Sequence, residues 1–294
     1  MYQPWFINRT GRAKEYRAAR SYVEPLQQLL SGAIGPEVAV TRFDAIPFHH
    51  GDCSWALWNL VFDAAAVFPE THSALVSLLL KAQELSQKQH ARPGTVYEWI
   101  NCFGSMWGDK YSTFWAWRDG SHGPARMTLE EEPQAIRLDQ KWINFNAFSA
   151  KLAATPFRPR SGIRKEGVLR LRQILEIDPG RYYEEHAKHK GPGLRGPILS
   201  AQEKFGCDVS AAAQWVIHAG QVTLKAYDDA DANKEKEKLH LPAKTDLWDG
   251  DAGMSLERWN LWKTRFQIMA DFEDLSVDAR TVAKEAAQSM DQIA

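Results

Sequence analysis

A few short stretches of this 294-residue chain carry side chains able to do chemistry. In FHHGDCSW, residues 48 to 55, His49, His50 and Asp52 fall within four positions. Imidazoles titrate near neutral pH, so His49 or His50 could serve as a general base beside Asp52. A metal would need further converging ligands, and no second motif at fixed spacing supplies them. The competing reading makes Asp52 a cap for the helix that follows and leaves the histidines in a loop. In MWGDKYSTFWAW, residues 106 to 117, Asp109, Lys110 and Tyr111 lie among Trp107, Phe114, Trp115 and Trp117. A few polar groups on an aromatic surface describe the wall of a small-molecule site, with Asp109 as a further candidate acid or base. A tightly packed helix junction would give the same composition.

The stretch KWINFNAFSAKLA, residues 141 to 153, places Asn144 and Asn146 among Trp142, Phe145, Phe148 and Leu152. Either asparagine could cap a helix start. Alternatively, the Asn146 amide could meet a ligand carbonyl, since a buried amide without a partner costs about 1–3 kcal/mol. His218 stands beside Trp215 and reads as a satisfied structural group or as a pocket residue. The candidate ligand-binding set is Trp58, Trp107, Tyr111, Trp142, Asn146 and His218. Arg265 reads as a partner for a carboxylate or a helix end. Asp228, Asp229 and Asp231 offer a superficial magnesium motif of terpene-cyclase type, but a Lys- and Glu-rich run follows and no second motif appears. Neither a phosphate-cradling glycine loop, a GxSxG elbow nor a dinucleotide fingerprint is present. No metal or cofactor is expected.

These groups must be positioned by helices. WALWNLVFDAAAVF, residues 55 to 68, is apolar on most faces and should be central, ending at Pro69. Residues 72 to 86 carry Leu75, Leu78, Leu79, Ala82 and Leu85 on one stripe, and the short link suggests an antiparallel hairpin. Further helices are expected over 22–30, 36–46, 142–154, 166–177, 208–227, from 256 after Ser255, and after Ser276. Arg170, Arg172 and Glu176 are expected to face water, and Asp208 or Ser210 to cap the 208–227 helix. Pro36 suits a first helical turn. Strand alternation with hairpin signals is missing, so the fold class is all-α. One domain is expected over 1–294, with N-terminal helices from 1–50 packing on it and exposed loops at 178–198 and 228–253.

Composition narrows the function classes. Net charge is −1, so no global field recruits nucleic acid or an anionic membrane. Cys53, Cys102 and Cys207 are distant and odd in number, which makes neither a disulfide framework nor a zinc pattern and fits a reducing, cytoplasmic setting. No apolar stretch reaches membrane-spanning length, and the N-terminus lacks the apolar core of a signal peptide. Twelve tryptophans are far more than usual, and they either fill a core or line a pocket.

Taken in order, WALWNLVFDAAAVFPETHSALVSLLLKAQEL, WINFNAFSAKLAA, AAAQWVIHAG, RWNLWKTRFQIMA and ARTVAKEAAQSM resemble a fungal family catalogued as domain of unknown function 3632. The resemblance spans about residues 55 to 290. It implies a helical fold, a soluble fungal protein and a place in specialised metabolism. It carries over no catalytic residues. The expected function is binding of an apolar or aromatic small molecule in a Trp-lined cavity, with a cofactor-free enzyme and a homo-oligomer both open. The alternatives are a helical protein-interaction scaffold and a magnesium-dependent cyclase.

Overall fold

Helical periodicity becomes helix almost everywhere the chain is described. A computed structural model describes residues 5–6, 20–46, 53–88, 96–118, 137–158, 160–188, 199–225 and 241–293. Among the described residues there are eleven α-helices and no strand, only an isolated bridge between Lys244 and Asp249. The all-α class read from the sequence is the class the chain adopts.

Contacts group the chain into two compact units. The first is Met1–Trp115, Pro124–Arg137 and Pro156–Pro159; the second is Ala116–Gly123, Leu138–Thr155 and Arg160–Ala294.

The first unit holds α1 (Arg20–Leu30), α2 (Pro36–Asp44), α3 (Cys53–Val67), α4 (His72–Lys88) and most of α5 (Val96–Trp117). Gly32, at φ +76°, closes α1 in a left-handed turn that a side chain would disfavour, and Ala33 N–H reaches back to Gln28 O. Pro36 opens α2 as expected. Residues 57 to 67 of α3 are buried throughout, which makes α3 the core helix of this unit. Pro69 ends it, and a single 3-10 turn over Pro69–Thr71 leads into α4. His72 bonds Ala65 O at 2.8 Å, locking that corner. Helix α5 runs through Gly104 and Gly108, around which added Cβ atoms would meet nothing.

The second unit holds α6 (Leu138–Ala153), α7 (Arg160–Leu175), α8 (Pro179–Lys188), α9 (Ala201–Lys225), α10 (Leu256–Ala270) and α11 (Val277–Ile293). Helix α9 is its axis, packed by α6, α7, α8 and α11. The small residues Gly206, Ala211, Ala212, Ala213 and Gly220 permit that crowding: a Cβ on Gly220 would come within 2.5 Å of Ile293. Ser255 and Ser276, after which the sequence placed helices, cap them by accepting the first-turn N–H groups of Arg258 and Ala279.

Three expectations change. Residues 179–188, expected within a loop, are α8: Pro179 starts it and the Asp178 carboxylate accepts the N–H groups of Gly180 and Arg181. Helix α6 begins at Leu138, so Asn144 and Asn146 are interior residues and not caps. Helix α9 begins at Ala201, where Ser200 and Glu203 form a reciprocal capping box; Asp208 and Ser210 lie well inside it.

Candidate functional site

In the first unit, α3 and α5 meet through rings. Trp58 stacks on Phe62 at 5.4 Å, Phe103 stands edge-on to both at 5.1 and 5.6 Å, and Phe157 closes on Phe103 at 4.9 Å. One turn further along α5, Trp107 and Tyr111 lie 4.8 Å apart, both buried. Next to these rings runs an ion pair: Lys110 Nζ stands 2.6 Å from Asp63 Oδ1, with side chains 9% and 5% exposed. The Lys110 ammonium also lies 5.1 Å from the centre of the Phe114 ring. Three candidate ligand residues, Trp58, Trp107 and Tyr111, belong to this unit. Asp109 is exposed on α5 next to the inward Lys110. His49, His50 and Asp52 lie outside the described residues, as do Asp228, Asp229 and Asp231.

The other candidates, Trp142, Asn146 and His218, belong to the second unit. Asn146 is fully buried and both ends of its amide meet protein. Its Nδ2 donates to Trp142 O at 2.9 Å, and its Oδ1 accepts from Trp215 Nε1 at 2.8 Å. Asn146 therefore ties α6 to α9. Asn144 accepts from Gln140 Nε2 on its own helix at 2.8 Å. The Trp215 ring lies flat on Gly167 of α7, where a Cβ would come within 2.3 Å of Cε3. His218 is half-buried. Burial, and then the charge of Lys151, hold its imidazole down at about 4, so it is neutral near pH 7. Burial also lowers Lys151.

Two buried charge clusters of the second unit escaped sequence reading. Glu176, expected to face water, is 2% exposed. It takes a bidentate pair from Arg258, at 2.6 and 2.9 Å, and the Trp262 N–H at 2.8 Å. Arg258 also donates to Gly253 O and Pro242 O and lies over the Trp248 ring, so it holds the 241–253 segment in place. Arg265 binds the carbonyls of Leu175 and Ile177, which makes it a cap for the end of α7. In the second cluster, Arg118 donates to both oxygens of Asp208 and Tyr182 Oη donates to Asp208 Oδ2 at 2.7 Å. Burial, then the Asp208 charge, push the Tyr182 hydroxyl far above its ordinary value, so it remains a donor. Burial opposes the Arg118 charge, but Asp208 and Tyr182 outweigh it and the guanidinium is held above its ordinary value. A lone carboxylate in an otherwise apolar helix was the available signal for Asp63 in α3, and the apolar run that follows it was the signal for Asp208 in α9; Glu176 follows the Arg- and Lys-rich α7 and carried no such signal.

Among the described residues no group of three or more His, Cys, Asp or Glu side chains could hold a metal, and no helix is long and apolar enough to cross a membrane. A family model described as protein of unknown function (DUF3632) matches residues 58–266. That is more than two thirds of the chain, and the chain belongs to this family. Neither a curated protein nor a solved structure matches it.

Proposed function

We propose that this DUF3632 member binds an apolar or aromatic small molecule against the α3–α5 face of its first unit, with Trp58, Trp107 and Tyr111 as walls. The observation that carries this reading is the Lys110–Asp63 pair beside the aromatic shell. A buried ion pair adds little net stability, because desolvating both charges offsets their attraction, and a well-packed apolar pair of equal volume is often as good or better. Retaining charge among aromatic rings makes sense where a polar group of a ligand must be oriented. The same face could run a cofactor-free reaction, since Lys110 and Asp63 supply a proton donor and acceptor in a dry setting. The resemblance adds a soluble protein of fungal specialised metabolism as its setting, and the three dispersed cysteines suit a reducing, cytoplasmic one.

Native mass spectrometry of the chain purified from a fungal host tests the reading. A co-purifying compound of discrete mass, lost on Lys110→Met while the variant stays folded, supports it. An empty protein, together with a Lys110→Met chain more stable than the parent, removes it. A second reading, the helical interaction scaffold, draws on Trp58, Trp142, Trp215, Trp259 and Trp262, all fully buried as core-filling rings, and on Trp115, 42% exposed.

A further inference from the structure

The 241–253 loop closes on itself and docks beside the ends of α7, α8 and α10 through few bonds. Gly253 N–H reaches Leu241 O at 2.9 Å and Gly250 N–H reaches Ala243 O at 3.2 Å, so its two arms pair. Its outside contacts are Leu247 N–H on Glu176 O, an Arg181–Asp246 ion pair, and the Pro242 and Gly253 carbonyls held by Arg258. Trp248 fastens the turn. Thr245 N–H bonds its carbonyl, its indole N–H donates to Asp251 O at 3.1 Å, and its ring lies 5.0 Å from the Arg258 guanidinium. A ring held in this way requires glycine beside it: a Cβ on Gly250 would stand 2.5 Å from Trp248 Cζ2. Packing therefore places a glycine directly after Asp249, whose side chain is 83% exposed and 3.9 Å from Lys244. Asp–Gly is the dipeptide in which a side-chain carboxyl closes most readily on the next backbone nitrogen, because no Cβ blocks the approach.

We propose that Asp249–Gly250 is an isoaspartate-forming site, that opening of the 241–253 loop sets its rate, and that the product holds the loop open. In the closed loop the Gly250 N–H is committed to Ala243 O, so its nitrogen turns on the Asp249 carboxyl only after that bond breaks in a local opening. The nitrogen then bonds to the carbonyl carbon of the protonated side-chain carboxyl. Its proton and the carboxyl hydroxyl leave as water, and a cyclic imide remains. Water returns at the main-chain carbonyl of Asp249 and breaks that carbon's bond to nitrogen, which frees a new α-carboxylate. Return at the other imide carbonyl restores aspartate. In the isoaspartate the chain runs through the former side chain. Mass is unchanged, and neither oxidant nor reductant enters. The backbone between Trp248 and Gly250 is longer by one methylene. That added carbon moves Gly250 out of register with Ala243 whenever Trp248 faces Arg258, so the two closures no longer form together. The loop becomes a slow, self-contained release of the cover over the Arg258–Glu176 pair.

The test incubates the full chain at physiological pH and temperature and reads isoaspartate in the tryptic peptide 245–258 by electron-transfer fragmentation. Isoaspartate should form at Asp249 and not at Asp246 or Asp251 of the same peptide. Arg181→Ala removes the ion pair with Asp246 and should speed the reaction about two- to fivefold, the effect of an exposed pair on an opening equilibrium. Asp119–Gly120, the other Asp–Gly pair of the chain, should keep its rate in that variant. Limited proteolysis should cut the modified molecules within 241–253 and spare the unmodified ones. Asp249→Glu, whose longer side chain cyclises far more slowly, should stay resistant through the same incubation. Any of three results overturns the proposal. Asp249 could stay unmodified over a period in which the urea-unfolded chain converts, Arg181→Ala could leave its rate unchanged, or the two forms could resist protease equally.

Discussion

At the scale of single residues, a buried polar group can answer to another part of the protein. Asn146 shows this: its amide joins the Trp142 carbonyl on its own turn to the Trp215 indole of α9. His218 is the contrasting case, because its cost depends on pH. Its imidazole, ordinarily at 6.5, is held at about 4 by burial and by Lys151. The unfolded chain therefore binds a proton at this site between those values while the folded chain does not. Stability is at its full level above 6.5 and falls as pH drops toward 4. Urea unfolding at about pH 7 and about pH 5 should show a drop that shrinks in His218→Gln; an equal drop in both proteins would assign the acid sensitivity elsewhere. The sequence displayed Asn146 and His218 as polar groups on apolar faces. It could not display Trp215 or Lys151 opposite them, because those partners lie 69 and 67 positions away and only the packing of α6 on α9 brings them near.

At the scale of elements, helices were legible where an apolar stripe met a stop signal, as with α3 ending before Pro69 and α10 opening after Ser255. Helix α8 was not, because its inward residues are tyrosines and a histidine and its Pro and Gly sit in the first turn, where they do no harm. The 241–253 segment shows what holds a non-helical stretch in place without an apolar stripe. Leu247 N–H bonds Glu176 O, and Arg258 reaches Gly253 O and Pro242 O while its charge is balanced by Glu176. Removing one partner of this pair leaves the other charge buried. Arg258→Met or Glu176→Met should each cost about 3–5 kcal/mol, and the double variant should recover much of that loss. Denaturant unfolding gives the cycle. Limited proteolysis adds the local readout: Arg258→Met should expose cleavage within 241–253 while α9 stays protected. A single-variant cost below about 1 kcal/mol would show that water reaches the pair.

At the scale of the whole molecule, composition described an ordinary balanced protein: net charge −1 and an apolar fraction of 44% exclude a global electrostatic role but select no chemistry. The candidate ligand set read from the sequence treats six residues as one group, yet Trp58, Trp107 and Tyr111 fall in one compact unit and Trp142, Asn146 and His218 in the other. A linear sequence signals which residues are polar among rings, not which rings share a core. Whether the two units unfold together is a thermodynamic question with a direct measurement. Phe103 touches Trp58, Phe62 and Phe157, all within the first unit. Phe103→Ala should cost that unit about 3–5 kcal/mol through lost burial and the cavity left behind. If the chain is one cooperative domain, native-state hydrogen exchange should speed up in α9 and α11 as much as in α3 and α4, because every slow amide opens through the same global event. Faster exchange confined to α3 and α4 would instead make the units separate folding entities, and ligand-induced stabilisation would then protect the first unit alone.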